Sequence, residues 1–140
     1  MTHPNPERLT TDFVTHLATN TAGLDVGDGE APENPTPAYP YLVVTPLSPF
    51  LTTGSLKRGH ELEVAEWQVT SVGLTRQQAQ GGIGAARDTL IGQTVSFASA
   101  SYKQTGEVKP VQAPALTSDR SDQPPLFLSN ETYQVMVVPV

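Results

Sequence analysis

Residues 66–92, EWQVTSVGLTRQQAQGGIGAARDTLIG, carry a strand, a turn, a helix start and a helix stop in unbroken succession, which leaves the chain few ways to fold. Over 66–73 the side chains alternate: Trp67, Val69 and Ser71 on one face, Glu66, Gln68, Thr70 and Val72 on the other. That period of two is the mark of a strand with one buried side, and Gly73 ends it. Thr75 stands three residues before Gln78, so its hydroxyl can accept the Gln78 N–H while the Gln78 side chain reaches back to the Thr75 N–H. A helix is therefore expected from about Arg76. It should stop near Ile91, because Gly92 can take the left-handed conformation that closes a helix. Ala79, Ile83, Ala86 and Leu90 form its packing stripe, with Gly82 on the same side and Trp67 and Val69 expected beneath it. Gly81, Gly82 and Gly84 each cost a helix interior roughly 1 kcal/mol relative to Ala, and close approach to a sheet or a second helix would account for them.

Earlier in the chain, Asn5-Pro6-Glu7 reads as N-cap, first-turn proline and dipole-compensating acid. Leu9, Phe13 and Leu17 follow at helical spacing, so a helix is expected to about Ala22 and should cover one side of a sheet. The stretch 25–38, DVGDGEAPENPTPA, has little to bury and reads as a flexible acidic loop. Asp25, Asp28 and Glu30 offer oxygens, but the ligand spacing of a calcium-binding loop is missing. YPYLVVTPL at 39–47 reads as a buried strand, with Pro40 and Pro46 confined to its ends or to an edge. Residues 48–60 read as a loop with GSLKRGH at its tip. Lys57, Arg58 and His60 form a basic cluster there, either a solvated turn or a contact with an acidic partner surface or nucleic acid.

Leu62 and Val64 have the opposite parity from Trp67 and Val69. A strand over 61–73 must then change its buried face near Ala65, through a bulge or as a ribbon projecting from the domain. In either case the outer half, with Leu56, Leu62 and Val64, points to a contact with another subunit. Residues 94–102 fit a short strand or irregular packing, 106–111 a weak strand, and 110–125 a proline-bearing loop. ETYQVMVVPV at 131–140 reads as a strand inside the sheet or at a subunit contact, with Tyr133, Val135 and Val137 on one face.

The 140 residues suit a single domain over 1–140, and the net charge of −6 disfavours stable binding to phosphates. No apolar run approaches the ~20 residues of a membrane span, so a soluble chain assembled in the cytoplasm is expected, with no membrane partner. There is no cysteine, which removes thiol nucleophiles and thiolate metal sites. His3, His16 and His60 lack metal-ligand spacing and read as solvated. No G-x-S-x-G elbow occurs, Glu61 and Glu63 read as surface charge, and Gly82-Ile83-Gly84 lies too far beyond its strand for a phosphate loop. No catalytic residue, metal or cofactor is expected.

The W-x-V-x-S-V-G strand, the T-R-x-x-A helix start and the L-x-G stop form a set. Together with the YPYLVV strand, the late PPLF segment and the final YQVMVV strand, they make the chain resemble the tail terminator proteins of long-tailed bacteriophages, particularly those of actinobacterial hosts. The likeness spans most of the chain and departs at Gly81-Gly82-Ile83-Gly84, where such helices usually carry larger residues. The resemblance implies an α/β (α+β) fold: a mixed, mainly antiparallel sheet with two helices packed on one side, a projecting β-ribbon and long proline-rich loops. It also implies a homo-oligomer, a ring of six at the head-proximal end of the tail in the virion. Such a ring meets the tail tube protein on one side and head-completion or connector proteins on the other, with DNA only in transit through an acidic lumen. Two other functions compete: a head-completion ring protein, and a small ligand-binding or hydrolytic domain.

Overall fold

The computed structural model describes residues 6–21, 23–31, 38–55, 60–111, 115–119 and 125–140. In chain order these form α1 (Pro6–Asn20), β1 (Val26–Asp28), β2 (Tyr41–Ser55), β3 (His60–Gly73), α2 (Arg76–Leu90), a 3-10 turn (Ala98–Ala100), β4 (Tyr102–Pro110), β5 (Ala115–Asp119) and β6 (Leu126–Pro139). The fold is α+β. One sheet runs in the order β1-β2-β3-β6-β4, with β5 also paired to β6. The β1–β2 pair is parallel and every other pair antiparallel.

Strand β3 shows the expected alternation. Ala65, Trp67, Val69 and Ser71 are buried and their neighbours Glu66, Gln68 and Thr70 half-buried. Gly73 ends the strand where α2 turns back onto it: a β-carbon there would sit 2.7 Å from the Ala79 backbone nitrogen, so only glycine fits. Thr75 caps α2 through its hydroxyl, which accepts the Gln78 N–H at 3.1 Å. The Gln78 amide oxygen accepts instead from the Leu74 N–H at 2.8 Å, one residue earlier than the reciprocal box requires. At the far end Gly92 takes φ +76, and Ile91 donates its N–H to the Arg87 carbonyl.

Both helices lie on one face of the sheet. From α1, Leu9, Phe13 and Leu17 are fully buried, each stabilising by about 1.5–3 kcal/mol before conformational entropy is subtracted. This burial holds a helix whose threonine-rich sequence has weak intrinsic propensity. The expected cap Asn5 lies outside the described residues. Trp67 is the centre of the core: its ring stacks on Phe13 with centroids 4.4 Å apart and on Phe97 at 5.9 Å, and its indole N–H donates to the Thr10 hydroxyl at 3.0 Å. Its stacking partners thus come from α1 and from the 91–101 segment, while Ile83, Ala86 and Leu90 of the α2 stripe are buried in the same cluster. On α2, Ala79, Gly82, Ile83, Ala86 and Leu90 are buried. A β-carbon on Gly82 would collide with the Ser71 hydroxyl, whereas Gly81 and Gly84 have nothing within 4 Å. Close helix approach therefore explains one of the three glycines.

Several stretches read as loops are strands, because pairing partners far away in sequence supply their hydrogen bonds. Within 25–38, residues 26–28 pair in parallel with Leu42, Val43 and Val44, while 32–37 lie outside the described residues. Residues 48–55 belong to β2 and not to a loop. The reading of 110–125 misses β5, which pairs with the first half of β6. Strand β4 is longer than the 106–111 expectation, and 94–101 is irregular, burying Val95 and Phe97. Strand β6 is central, with β3 along one side and β4 and β5 along the other.

Candidate functional site: a bent sheet with an open ribbon

The sheet is bent along one line. In β2 the register with β3 shifts between Leu47, opposite Glu66, and Leu51, opposite Val64, so residues 48–50 face Ala65 alone. In β4 the register with β6 shifts between Thr105, opposite Met136, and Lys109, opposite Gln134, so residues 106–108 face Val135. Ala65 and Val135 are themselves paired. The irregularity expected near Ala65 lies on the β2 side: β2 carries the extra residues, while β3 pairs with β6 without a shift from Glu63 to Gly73. The β4 bulge is built from its own residues. Gly106 takes φ +77, and the Gln104 side chain donates to the Gly106 carbonyl at 2.9 Å while accepting the Val95 N–H at 2.8 Å.

Beyond Glu63 the sheet narrows to a two-stranded ribbon. Thr53, Gly54 and Ser55 pair with Leu62, Glu61 and His60, and none of the six has another strand neighbour among the described residues. Of the expected interface residues, Leu62 and His60 have their backbone in this ribbon, and Val64 stands half-buried at its base. Leu56, Lys57 and Arg58 are outside the described residues.

Beneath α2 lies a polar row that sequence reasoning missed. Glu131 and Tyr133, two residues apart on the helix-facing side of β6, are 2% and 0% exposed. Arg87, on the last turn of α2, places Nε 3.1 Å from Glu131 Oε1. This is an ion pair without aligned hydrogen-bond geometry, since among the described residues that oxygen, the Tyr133 hydroxyl and the Ser71 hydroxyl have no hydrogen-bond partner. Burial raises the Tyr133 phenol well above its ordinary value, the adjacent Glu131 carboxylate raises it further, and Arg87 opposes them. The signal was present in the sequence: Glu131 shares its parity with Tyr133 and Val135, an acid on the buried face of a strand. On the other helix, His16 is not simply solvated. Its Nε2 lies 2.7 Å from the Thr89 carbonyl and donates to it, satisfying one of the orphan carbonyls at the α2 C-terminus.

These groups do not converge on a cleft. Among the described residues, surface cavities of about 440, 300 and 250 Å³ are lined respectively around Arg87 and Asp88, around Asp12 and His16, and around Glu7 and Asp28. At the second of them the Ser99 hydroxyl donates to the Asp12 carboxylate at 2.7 Å. Among the described residues no three His, Asp or Glu side chains are placed to hold a metal.

The architecture has a counterpart among solved structures. A chain from the virion of a native gene transfer agent (GTA) particle superposes with a TM-score of 0.64, over 93% of this chain and 94% of that one. What the two share is the fold. Their sequences are 14% identical. No protein-family model matches the chain, and no curated protein matches it.

Proposed function

We propose that this chain is a structural virion protein, a subunit of the six-membered ring that caps a phage tail tube, ends its polymerisation and offers the surface to which the filled head joins. One observation carries the reading: the fold matches a virion chain across nearly the whole of both molecules. The ribbon supports it, because an isolated pair of strands is at best marginally stable in water and gains most from a neighbour. The acidic balance fits too: a ring of chains at −6 each lets DNA pass without being held. In this reading the chain acts in the virion, at the head-proximal end of the tail, with the tail tube and head-completion proteins as partners and no catalysis of its own.

The test is a mass measurement in solution over a range of concentrations, followed by imaging of the purified chain mixed with tail tubes. A closed ring seated on tube ends is the expected result. A persistent monomer that leaves tubes uncapped would refute the reading, and a ring that binds the head portal instead would assign it to the connector.

A further inference from the structure

The two free sides of the sheet match one another. On one side, β1 covers β2 only from Leu42 to Val44, and past that point β2 has no outer strand neighbour among the described residues. On the other, β4 is the last strand among the described residues and has no outer strand neighbour among them. The two edges run in opposite directions, since β2 is antiparallel to β3, β3 to β6 and β6 to β4. They also stand at the same height. Leu47 is level with Glu66, Gln134 and Lys109 across the sheet, and Leu51 with Val64, Met136 and Thr105. Each edge carries its bulge at that height, 48–50 on one and 106–108 on the other, with the same number of residues between the flanking pairs.

We propose that copies of this chain join head to tail by antiparallel pairing of the outer edge of β4 in one subunit with the outer edge of β2 in the next, bulge facing bulge. The inference rests on the ring reading and specifies its joint. In this register Thr105 meets Leu51, Lys109 meets Leu47, and Pro110 meets Pro46. The prolines close the ladder at a point where neither strand has an N–H to waste. The bulges guard both strands, and Lys103 and Lys109 guard β4, against indiscriminate pairing, while the equal bulges admit one another. Charge agrees: the cavity beside Pro46 is lined by Glu7, Thr10 and Asp28, so acidic side chains stand at the end of the β2 edge where Lys109 of the neighbour arrives. The contact would also lend the ribbon a third strand, since Lys103 meets Thr53. A head-to-tail contact of this kind is heterologous and closes into a ring when its rotation permits.

The chain has no cysteine, which makes a cross-linking test clean. Leu47 and Lys109 lie on opposite edges of one chain with β3 and β6 between them, so a disulfide joining them must link two subunits. The double variant Leu47→Cys with Lys109→Cys, oxidised and run on a non-reducing gel, should give a ladder of covalent multimers ending at the ring. Leu47→Cys with Lys103→Cys, out of register, should give under a tenth of that product. A multimer by light scattering that yields no ladder from the matched pair, or equal ladders from both, would overturn the edge joint and leave the ring standing. A monomer at every concentration would overturn both.

Discussion

Gly73 and Gly82 mark where the α2 backbone comes closest to the sheet, and the other glycines of that helix can be told apart from them by substitution. Gly73→Ala puts a β-carbon against backbone and should destabilise by about 1–3 kcal/mol. Gly81→Ala and Gly84→Ala meet open space at helical φ and should stabilise by about 0.4–1 kcal/mol each, as read by urea denaturation. The Arg87–Glu131 pair should be just as asymmetric. Arg87→Met leaves a carboxylate at 2% exposure without its cation and should cost about 1–3 kcal/mol, a figure already reduced because Arg87 is itself half exposed. Glu131→Met removes the buried charge and should be near neutral or stabilising. Tyr133 makes the fold sensitive to alkali. Its folded value lies above the unfolded value near 10, so its contribution is complete below pH 10 and is lost as pH rises beyond it. Between pH 9 and 11 the wild-type chain should therefore lose more stability than Tyr133→Phe, and parallel curves for the two would disprove that assignment.

Among the elements, α2 and the second half of β3 were legible because each signal in them is local: alternation, a threonine three residues before a glutamine, a glycine after the last turn. The ribbon was legible only in part. The opposite parity of Leu62 and Val64 marked something unusual, yet the bend that accommodates it belongs to β2, whose residues 48–50 show no local sign of pairing. Short β1 and β5 were invisible, since Val26-Gly27-Asp28 and the 115–119 stretch become strands only through partners at 42–44 and 126–130. At this scale the ribbon carries the prediction. Arg at Leu62 or at Val64 should shift the assembly to monomer by light scattering while leaving far-ultraviolet circular dichroism and the melting temperature within a few degrees of wild type. Loss of the fold by either variant would mean that the ribbon is part of the monomer core.

For the whole molecule, the apolar stripes at Leu9, Phe13, Leu17 and at Ala79, Ile83, Ala86, Leu90 say that both helices pack, while the fold class and their placement on one face of the sheet were implied by the resemblance. Trp67 lies in the same buried cluster as Ile83, Ala86 and Leu90, and its stacked rings come from elsewhere. A stripe says that a helix packs, not against what, and Phe13 and Phe97 come to that ring from positions 54 and 30 residues distant. The strand and helix at 66–92 were determined by the sequence alone, because capping, alternation and glycine conformation act over four residues or fewer. The buried row under α2, the single line on which the sheet bends and the level match of its two edges were decided only by the tertiary structure. Each depends on register between strands, and register is set by which distant segments hydrogen-bond to one another, a choice that no short stretch of chain contains.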